Sequence, residues 1–383
     1  MIYFDNSATT KPSDASLEKM REALCVSFGN PGSVHTAGND ARHMMETARK
    51  EAAKTFGVRR PADGDVIFTS GGSEANNLAI FGSVRAKPRS GGKIFITDGE
   101  HASVENCAGE LEKKGFTVLR IPTSGGALDL DFIEKNADST VILVAMMLVN
   151  NETGALYDIK KASDIIKEKS PKALIHCDAV QGYLKTEFTP KKLGVDTMAV
   201  SAHKIHAPKG AGALYVTEEV IKSRRLSPVI FGGGQEWGLR SGTENVPAIS
   251  AFGEAAKEGF AEMSSRREKV LELYSYLCGK IEGMVRINRP REYIPNIINI
   301  TLPCIKSETM LNFMSQRGIC ISAGSACSAH SGGVSHALTA FGLPAGDADC
   351  SVRISLSHLN TKEEADIFAA SLKEGVEKLS RIR

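Results

Sequence analysis

Short apolar runs alternate with amphipathic stretches through the first 250 residues of this 383-residue chain. Each run is too short for a typical helix and is bounded by polar or turn-forming residues, which predicts a strand. Between the runs, apolar residues recur at helical spacing, as in Val104, Ala108 and Leu111. This alternation predicts an α/β fold with a large, mostly parallel sheet covered by helices. The predicted strands are 66–69, 93–97, 117–120, 141–147, 173–177, 197–200 and 213–216.

The pattern changes after about residue 250. A long helical stretch is predicted at 251–282, followed by shorter strands at 296–302 and 351–356. We therefore expect two domains. Residues 1–250 form a large cofactor-binding domain, whose first 14 residues or so are an arm packing near the active site. Residues 251–383 form a smaller C-terminal α+β domain.

Composition excludes several functional classes. The 47 lysines and arginines nearly balance 45 acidic residues, so no bulk charge attracts nucleic acid or an anionic membrane. The apolar run 141–149 is too short to span a membrane as a helix. The first residues lack a basic region followed by an apolar stretch, so we expect no signal peptide and a cytoplasmic location.

The eight cysteines contain no Cys-x-x-Cys pair, and no histidine cluster completes a zinc pattern. We therefore expect no bound metal, and free thiols in a reducing compartment. What matters is whether any single cysteine is reactive.

Lys204 is the most informative residue. It lies among small residues just after the predicted strand 197–200. A lysine that loses solvation there becomes a nucleophilic amine. Such an amine can form a Schiff base with an aldehyde cofactor such as pyridoxal phosphate. Taken alone, a surface lysine is the more common interpretation. Other segments supply the remaining parts of a cofactor site, and we expect Lys204 to carry one.

Polar groups follow other predicted strands. Glycines at 70–77 let the backbone approach an anion at a helix start, although a plain strand-to-helix turn fits equally well. Asp178 can hold a pyridinium N–H, with a helix N-cap as the alternative role. His101 can stack on a cofactor ring and move protons, with a surface histidine as the alternative. Ligands in such folds gather at the carboxyl ends of strands, where Ser70, Asp178 and Lys204 all fall.

Residues 322–333 are nearly all small and cannot pack a core, which predicts a mobile loop. Cys327 is then an exposed thiol, and His330 close by favours its thiolate. Cys320 and Cys177 lie in apolar stretches, where we expect inert core thiols.

Taken together, these segments resemble the cysteine desulfurases of the class V aminotransferase family, which includes the nitrogen-fixation and iron–sulfur-assembly enzymes. The resemblance covers nearly the whole chain and implies the type I fold of pyridoxal-phosphate-dependent transferases. The Cys327 loop resembles the subgroup that serves iron–sulfur scaffolds and thiolation enzymes. The motifs lie at 3–10, 29–35, 69–74, 149–154, 201–210, 232–243 and 322–333.

The resemblance also implies roles for single residues. Lys204 would carry the cofactor, His101 would stack on its ring and move protons, and Cys327 would accept sulfur. Arg353 would grip the substrate carboxylate, a role that suits a bidentate guanidinium, with Asn151 beside the substrate. Thr243 would reach in from a neighbouring subunit, which implies a homodimer. The other cofactor contacts implied are Gly72, Ser73, Ser201 and His203 at the phosphate, Asp178 at the pyridine nitrogen, and Gln181 and Asn151 on the ring oxygen side.

The implied reaction converts L-cysteine to L-alanine and leaves a persulfide on Cys327 for a sulfur-acceptor protein of iron–sulfur assembly or thiolation. The chain stops at Arg383, whereas relatives that dock a scaffold often carry a longer tail, so the acceptor stays open. A selenocysteine lyase or a class V aminotransferase is an alternative that needs Lys204 but not Cys327. A non-catalytic sulfur-transfer adaptor is a third reading.

Overall fold

The computed structural model describes residues 1–58, 64–87, 91–324 and 335–379. Within these ranges the chain forms twelve strands and fourteen α-helices. The strands are β1 Ile2–Tyr3, β2 Val66–Thr69, β3 Lys93–Thr97, β4 Thr117–Ile121, β5 Val141–Met147, β6 Leu174–Asp178, β7 Thr197–Ser201, β8 Gly212–Val216, β9 Arg286–Ile287, β10 Ile297–Thr301, β11 Ile319–Cys320 and β12 Ser351–Ser355. The helices are α1 Asp14–Cys25, α2 Thr36–Thr55, α3 Gly72–Arg85, α4 Ala102–Lys113, α5 Leu130–Asn136, α6 Ile159–Lys169, α7 Pro190–Leu193, α8 Glu218–Lys222, α9 Val246–Ala261, α10 Met263–Ile281, α11 Ser307–Ser315, α12 His336–Phe341, α13 Ala345–Asp349 and α14 Lys362–Leu379.

Seven strands form one sheet in the order β2-β8-β7-β6-β5-β3-β4. Strand β8 runs antiparallel to both of its neighbours, and the other pairs are parallel. Both faces of the sheet are covered, since alternate residues of β5 join different cores. Val144 packs in one core with α2, α6 and α9, whereas Leu143 packs in the other with α3 and α4. This is the mostly parallel α/β sheet that the alternating pattern predicted.

The direction of the strands decides where the site lies. Because β2, β3, β5, β6 and β7 run the same way, their carboxyl ends meet at one edge of the sheet. The residues that follow these strands include Ser70, His101, Asn151 and Lys204, and Asp178 is the last residue of β6.

A second core forms around the antiparallel sheet β12-β10-β9 and helices α10, α11 and α14. The first residues of the chain join it: Ile2 and Phe4 are buried there, and β1 pairs in parallel with β11. The amino-terminal arm therefore packs against the carboxyl-terminal third of the chain. The division at residue 250 stays a prediction.

The predicted helix at 251–282 is wrong in one respect. Two helices cover this stretch, and they are separated at Glu262, whose φ of −105° and ψ of 8° leave the helical range. The physical reason is packing, because α9 contacts α1 and α2 whereas α10 contacts α14. One straight helix would not follow both surfaces. No helix in the described ranges is long and apolar enough to cross a membrane.

Candidate active site

A cavity of about 240 Å³ lies at the carboxyl edge of the large sheet. It brings together most of the residues that the sequence singled out. Thr243 does not line it and is exposed within this chain, and Cys327 and His330 lie outside the described residues. The predicted residues that line the cavity are Gly72, Ser73, His101, Asn151, Asp178, Gln181, Ser201, His203, Lys204 and Arg353.

Lys204 ends a short 3₁₀ turn, Ala202–Lys204, that directly follows β7. Its Nζ donates to the main-chain oxygens of Ser7 at 2.5 Å and Ala8 at 2.8 Å. Both carbonyls belong to the amino-terminal arm. The amine is therefore held at the cavity wall by a segment almost 200 residues away in the sequence.

Asp178 ends β6, and its carboxylate is fixed on both oxygens. Oδ1 accepts from the Val180 N–H at 3.0 Å, and Oδ2 accepts from Asn76 Nδ2 at 2.7 Å. The side chain is buried yet lines the cavity. A carboxylate held in this way presents its remaining lone pairs in a fixed direction.

His101 caps helix α4, since its Nδ1 accepts from the Ser103 N–H at 3.1 Å. Burial lowers the pKa of the imidazole, and the charge of Lys204 lowers it further, while Asp178 opposes the change. The ring is therefore neutral over a wider pH range than an exposed histidine, whose pKa is about 6.5. A neutral imidazole can both accept and donate a proton.

Helix α3 opens at the other end of the cavity. Its N-cap, Gly71, supplies no side chain, and no side chain caps the first N–H groups in the described part of the chain. Free N–H groups at a helix start attract an anion such as phosphate. At Gly72 a Cβ would lie 2.6 Å from Cγ2 of Val180 and 3.5 Å from Cβ of Ser201. The glycine is needed for this close approach between helix and sheet.

The groups that line the cavity fit pyridoxal phosphate. An amine, a buried carboxylate and a flat imidazole line one cavity, with an uncapped helix start at one side. Burial also lowers the pKa of His203 to about 3, helped by Lys204, Lys209 and Lys185, so this ring is neutral.

The described residues contain no cluster of three or more His, Cys, Asp or Glu side chains able to hold a metal ion.

Arg353 lies in the middle of β12 and is almost fully buried. One terminal nitrogen donates to the Asn151 oxygen at 2.8 Å, and the other donates to Asp5 Oδ1 at 3.0 Å. Its Nε has no hydrogen-bond partner among the described residues. A buried donor without a partner is costly in a folded protein and often marks a place for a ligand. Arg353 is thus a buried cation whose Nε–H has no partner among the described residues.

Four residues at or beside the site receive no role from the sequence. The carbonyls of Ser7 and Ala8 have no side-chain signature, so no pattern could have revealed them. Asn76 had a detectable signal, because it lies on the buried face of α3 four residues after Gly72, where a polar residue needs a partner. His176 had the same kind of signal, since strand alternation places it on the face of Asp178.

Glu100, next to His101, is fully buried, and burial raises its pKa to about 8. Oε1 accepts from Thr97 Oγ1 at 2.6 Å and from the Met147 N–H at 2.7 Å, while Oε2 lacks a partner in the described ranges. This carboxyl group is neutral at neutral pH.

Cys177 is buried, as expected, and burial raises its pKa well above the usual value. Cys320 is only half-buried, so it is less enclosed than expected.

Comparisons with known proteins show which family the chain belongs to. The sequence profile of the family "Aminotransferase class-V" matches residues 2–368. Cysteine desulfurase IscS 1 of Archaeoglobus fulgidus is 37% identical over 383 residues, covering 99% of this chain and 98% of that protein.

Two solved structures show the same fold. One described as "NIFS-LIKE PROTEIN" superposes with a TM-score of 0.91 and 34% identity, covering 98% of this chain and 99% of that one. Another, "SspA in complex with cysteine", gives a TM-score of 0.81 and 31% identity, covering 94% of this chain and 100% of that one. On its profile, its relatives and its fold, this chain belongs to the class V aminotransferase family, and within that family to the cysteine desulfurases of the nitrogen-fixation and iron–sulfur-assembly type.

Proposed function

We propose that the protein takes sulfur from L-cysteine, releases L-alanine, and passes the sulfur as a persulfide to an acceptor protein. The observation that carries this proposal is the convergence of Lys204, Asp178, His101 and Arg353 on one cavity. The relative named as a cysteine desulfurase and the neighbour described in complex with cysteine support the same substrate.

Lys204 is proposed to bind pyridoxal phosphate. When bound, this cofactor acts as an electron sink that stabilises negative charge on the substrate Cα. The start of α3 suits the phosphate, and Asp178 suits a protonated ring nitrogen because its carboxylate is buried and fixed. The further contacts proposed are Gly72, Ser73, Ser201 and His203 at the phosphate, Gln181 and Asn151 on the ring oxygen side, His101 against the ring face, and Thr243 in the site of a second subunit.

Gln181 is oriented by two contacts. Its Nε2 donates to the Ser7 oxygen at 2.9 Å, and its Oε1 accepts from Lys185 Nζ at 3.0 Å. The same Ser7 oxygen accepts from Lys204, so the amide and the amine share one anchor. This sharing sets the relative position of the two side chains, which are proposed to hold neighbouring parts of the cofactor, its aldehyde carbon and its ring oxygen.

Arg353 is proposed to bind the carboxylate of L-cysteine. The guanidinium lines the cavity and keeps N–H groups without a partner among the described residues, while Asp5 and the Asn151 carbonyl keep it from rotating. Because a fixed guanidinium matches a carboxylate, this contact orients the substrate with little further loss of freedom. Lys204 and His101 are then the groups that move protons at the substrate Cα.

Cys327 is proposed to take the sulfur, on the strength of its sequence and the family resemblance. Its thiolate attacks the substrate sulfur, an S–S bond forms as the C–S bond breaks, and the electron pair stays with the carbon fragment. Protonation of that fragment gives alanine. The proposed acceptor serves iron–sulfur assembly or thiolation, and the proposed setting is a cytoplasmic homodimer. The free cysteines among the described residues suit a reducing compartment.

The test is to incubate the purified protein and its Cys327→Ser variant with L-cysteine and assay alanine and sulfide. A hydroxyl cannot hold a persulfide, so the variant should bind the cofactor but release almost no sulfide. Cys320→Ser is the control and should keep the activity. Equal sulfide and alanine from parent and Cys327→Ser would favour a lyase or aminotransferase, and no product from either protein would favour a non-catalytic adaptor.

A further inference from the structure

A continuous chain of hydrogen bonds runs beneath the cavity, and Asn76 is at its centre. Asn76 Nδ2 donates to Asp178 Oδ2 at 2.7 Å and to Ser103 Oγ at 2.8 Å. Asn76 Oδ1 lies 3.0 Å from His176 Nε2, and His176 Nδ1 lies 2.9 Å from Thr197 Oγ1. At the other end, Ser103 Oγ lies 2.8 Å from His101 Nδ1. Both N–H bonds and the oxygen of the Asn76 amide are therefore used.

Which group donates and which accepts in each of these hydrogen bonds follows from the Asp178 carboxylate. The Asp178 carboxylate accepts from the Val180 N–H on Oδ1 and from Asn76 on Oδ2, so the amide nitrogen of Asn76 faces it. Asn76 Oδ1 then accepts from His176, whose proton is on Nε2. Burial lowers the pKa of His176 to about 3, so that ring is neutral, and its Nδ1 accepts from the Thr197 hydroxyl.

The same logic reaches His101. Because Ser103 Oγ accepts from Asn76, the hydroxyl proton of Ser103 is directed to His101 Nδ1. The Ser103 N–H donates to that same nitrogen at 3.1 Å. With two donors on Nδ1, the single proton of the ring must lie on Nε2, and protonation of Nδ1 would break two hydrogen bonds.

We propose that Asn76 is a positioning residue which, through the Ser103 hydroxyl, keeps the His101 ring neutral with its proton on Nε2, while its other N–H holds the Asp178 carboxylate. One amide thus couples the group that moves protons to the group that serves the cofactor ring. This inference rests on the proposed function for its catalytic meaning, but the hydrogen-bond arrangement does not depend on turnover.

Two charged groups face His101, namely Asp178 at the end of β6 and Lys204 after β7. They act in opposite directions on the ring, and burial favours the neutral form. Asn76 contributes as well, because its N–H occupies one acceptor site of the Ser103 oxygen and so favours donation from the hydroxyl to His101 Nδ1. A purely structural asparagine would affect folding but not the protonation of His101.

The experiment is nitrogen NMR on the full-length protein, as purified and without L-cysteine, with ¹⁵N-labelled histidine. A His101→Gln variant assigns the His101 signals among the nine histidines. The parent should show His101 protonated on Nε2 alone. In Asn76→Ala the midpoint of its titration should rise by about one pH unit, the equivalent of one hydrogen bond. Asn77→Ala is the matched control, since Asn77 neighbours Asn76 on α3 but, within the described ranges, donates to the Ser73 oxygen and not to Asp178 or Ser103.

Ser103→Ala is a second test variant, and it leaves the buried side chain of Asn76 in place. It breaks the link between Asn76 and His101 but leaves the contacts of Asn76 to Asp178 and His176, so it stays informative if Asn76→Ala folds poorly. The His101 midpoint should rise here as well. An unchanged midpoint in a folded Ser103→Ala, or equal midpoints in Asn76→Ala and Asn77→Ala, would overturn the proposal. A protein without desulfurase turnover but with these shifts would instead contradict only the proposed function.

Discussion

Two walls of the cavity are built in different ways. The sheet-edge wall consists of the side chains of His101, Asn76 and Asp178, which follow or pack against strands of one sheet and are joined by hydrogen bonds. The arm wall consists of the carbonyls of Ser7 and Ala8 together with Arg353. Its parts come from opposite ends of the chain, and Asp5 holds them together through its ion pair with Arg353. The sheet-edge wall fixes the proton of the His101 ring and the orientation of the Asp178 carboxylate. The arm wall instead anchors two cationic side chains, those of Lys204 and Arg353.

Lys204 lies where the two walls meet, and its replacement should have the largest effect. Lys204→Ala should abolish the visible absorbance of bound cofactor and reduce desulfurase activity to background, because no amine remains to hold the aldehyde. Absorbance spectra, borohydride reduction and sulfide release are the measurements. Lys209→Ala, an exposed lysine in the same segment, is the control. A borohydride-reducible cofactor bond that survives in Lys204→Ala would show that another lysine carries it.

Arg353→Lys tests the arm wall alone. A lysine keeps the charge but loses the fork geometry, so the KM for L-cysteine should rise by about 10- to 100-fold, the equivalent of one or two charge-assisted hydrogen bonds. Steady-state kinetics would show this as a larger change in KM than in kcat. Arg286→Lys, an exposed arginine on β9 of the same small sheet, should leave KM unchanged. If the two variants behave alike, Arg353 does not bind substrate.

Glu100→Gln replaces a buried carboxyl group beside the sheet-edge wall and should have the smallest effect of these substitutions. The pKa of Glu100 is raised from 4.5 in the unfolded chain to about 8 in the folded protein, so this group lowers the folding stability only above about pH 4.5. As pH rises towards 8 the unfolded chain ionises first, and stability is lost. Glutamine cannot ionise, so the variant should melt at a higher temperature than the parent near pH 8, and this gain should shrink towards pH 5.

Thermal unfolding across pH measures the difference, with Glu110→Gln as the control because Glu110 is exposed on helix α4. Parallel curves for the parent and Glu100→Gln would mean that Glu100 is ionised in the folded protein.

The contrast between the walls also explains what could be predicted from the sequence. Strand periodicity located all seven strands of the large sheet, and since parallel strands share an edge, it placed Asp178 and Lys204 together. The arm wall escaped prediction in part, because a carbonyl oxygen is present in every residue and only the fold selects Ser7 and Ala8. Asn76 and His176 carry side chains, but their partners lie on other elements, and one chain does not reveal such pairs. The break at Glu262 depends on which core each helix joins, which periodicity alone does not encode.

The pairing of the arm with the end of the chain has a consequence for biosynthesis. Ile2 and Tyr3 pair with Ile319 and Cys320, and Asn6 donates to the carbonyl of Ser355. On the ribosome, residues 2–6 must therefore wait for residues 319–355 before the arm wall is complete. Every strand of the large sheet has been synthesised by residue 216, well before that point. Lys204 thus lies in a complete cavity only after residue 355 has been synthesised, although the arm can already bond to His203 and His206 before that point.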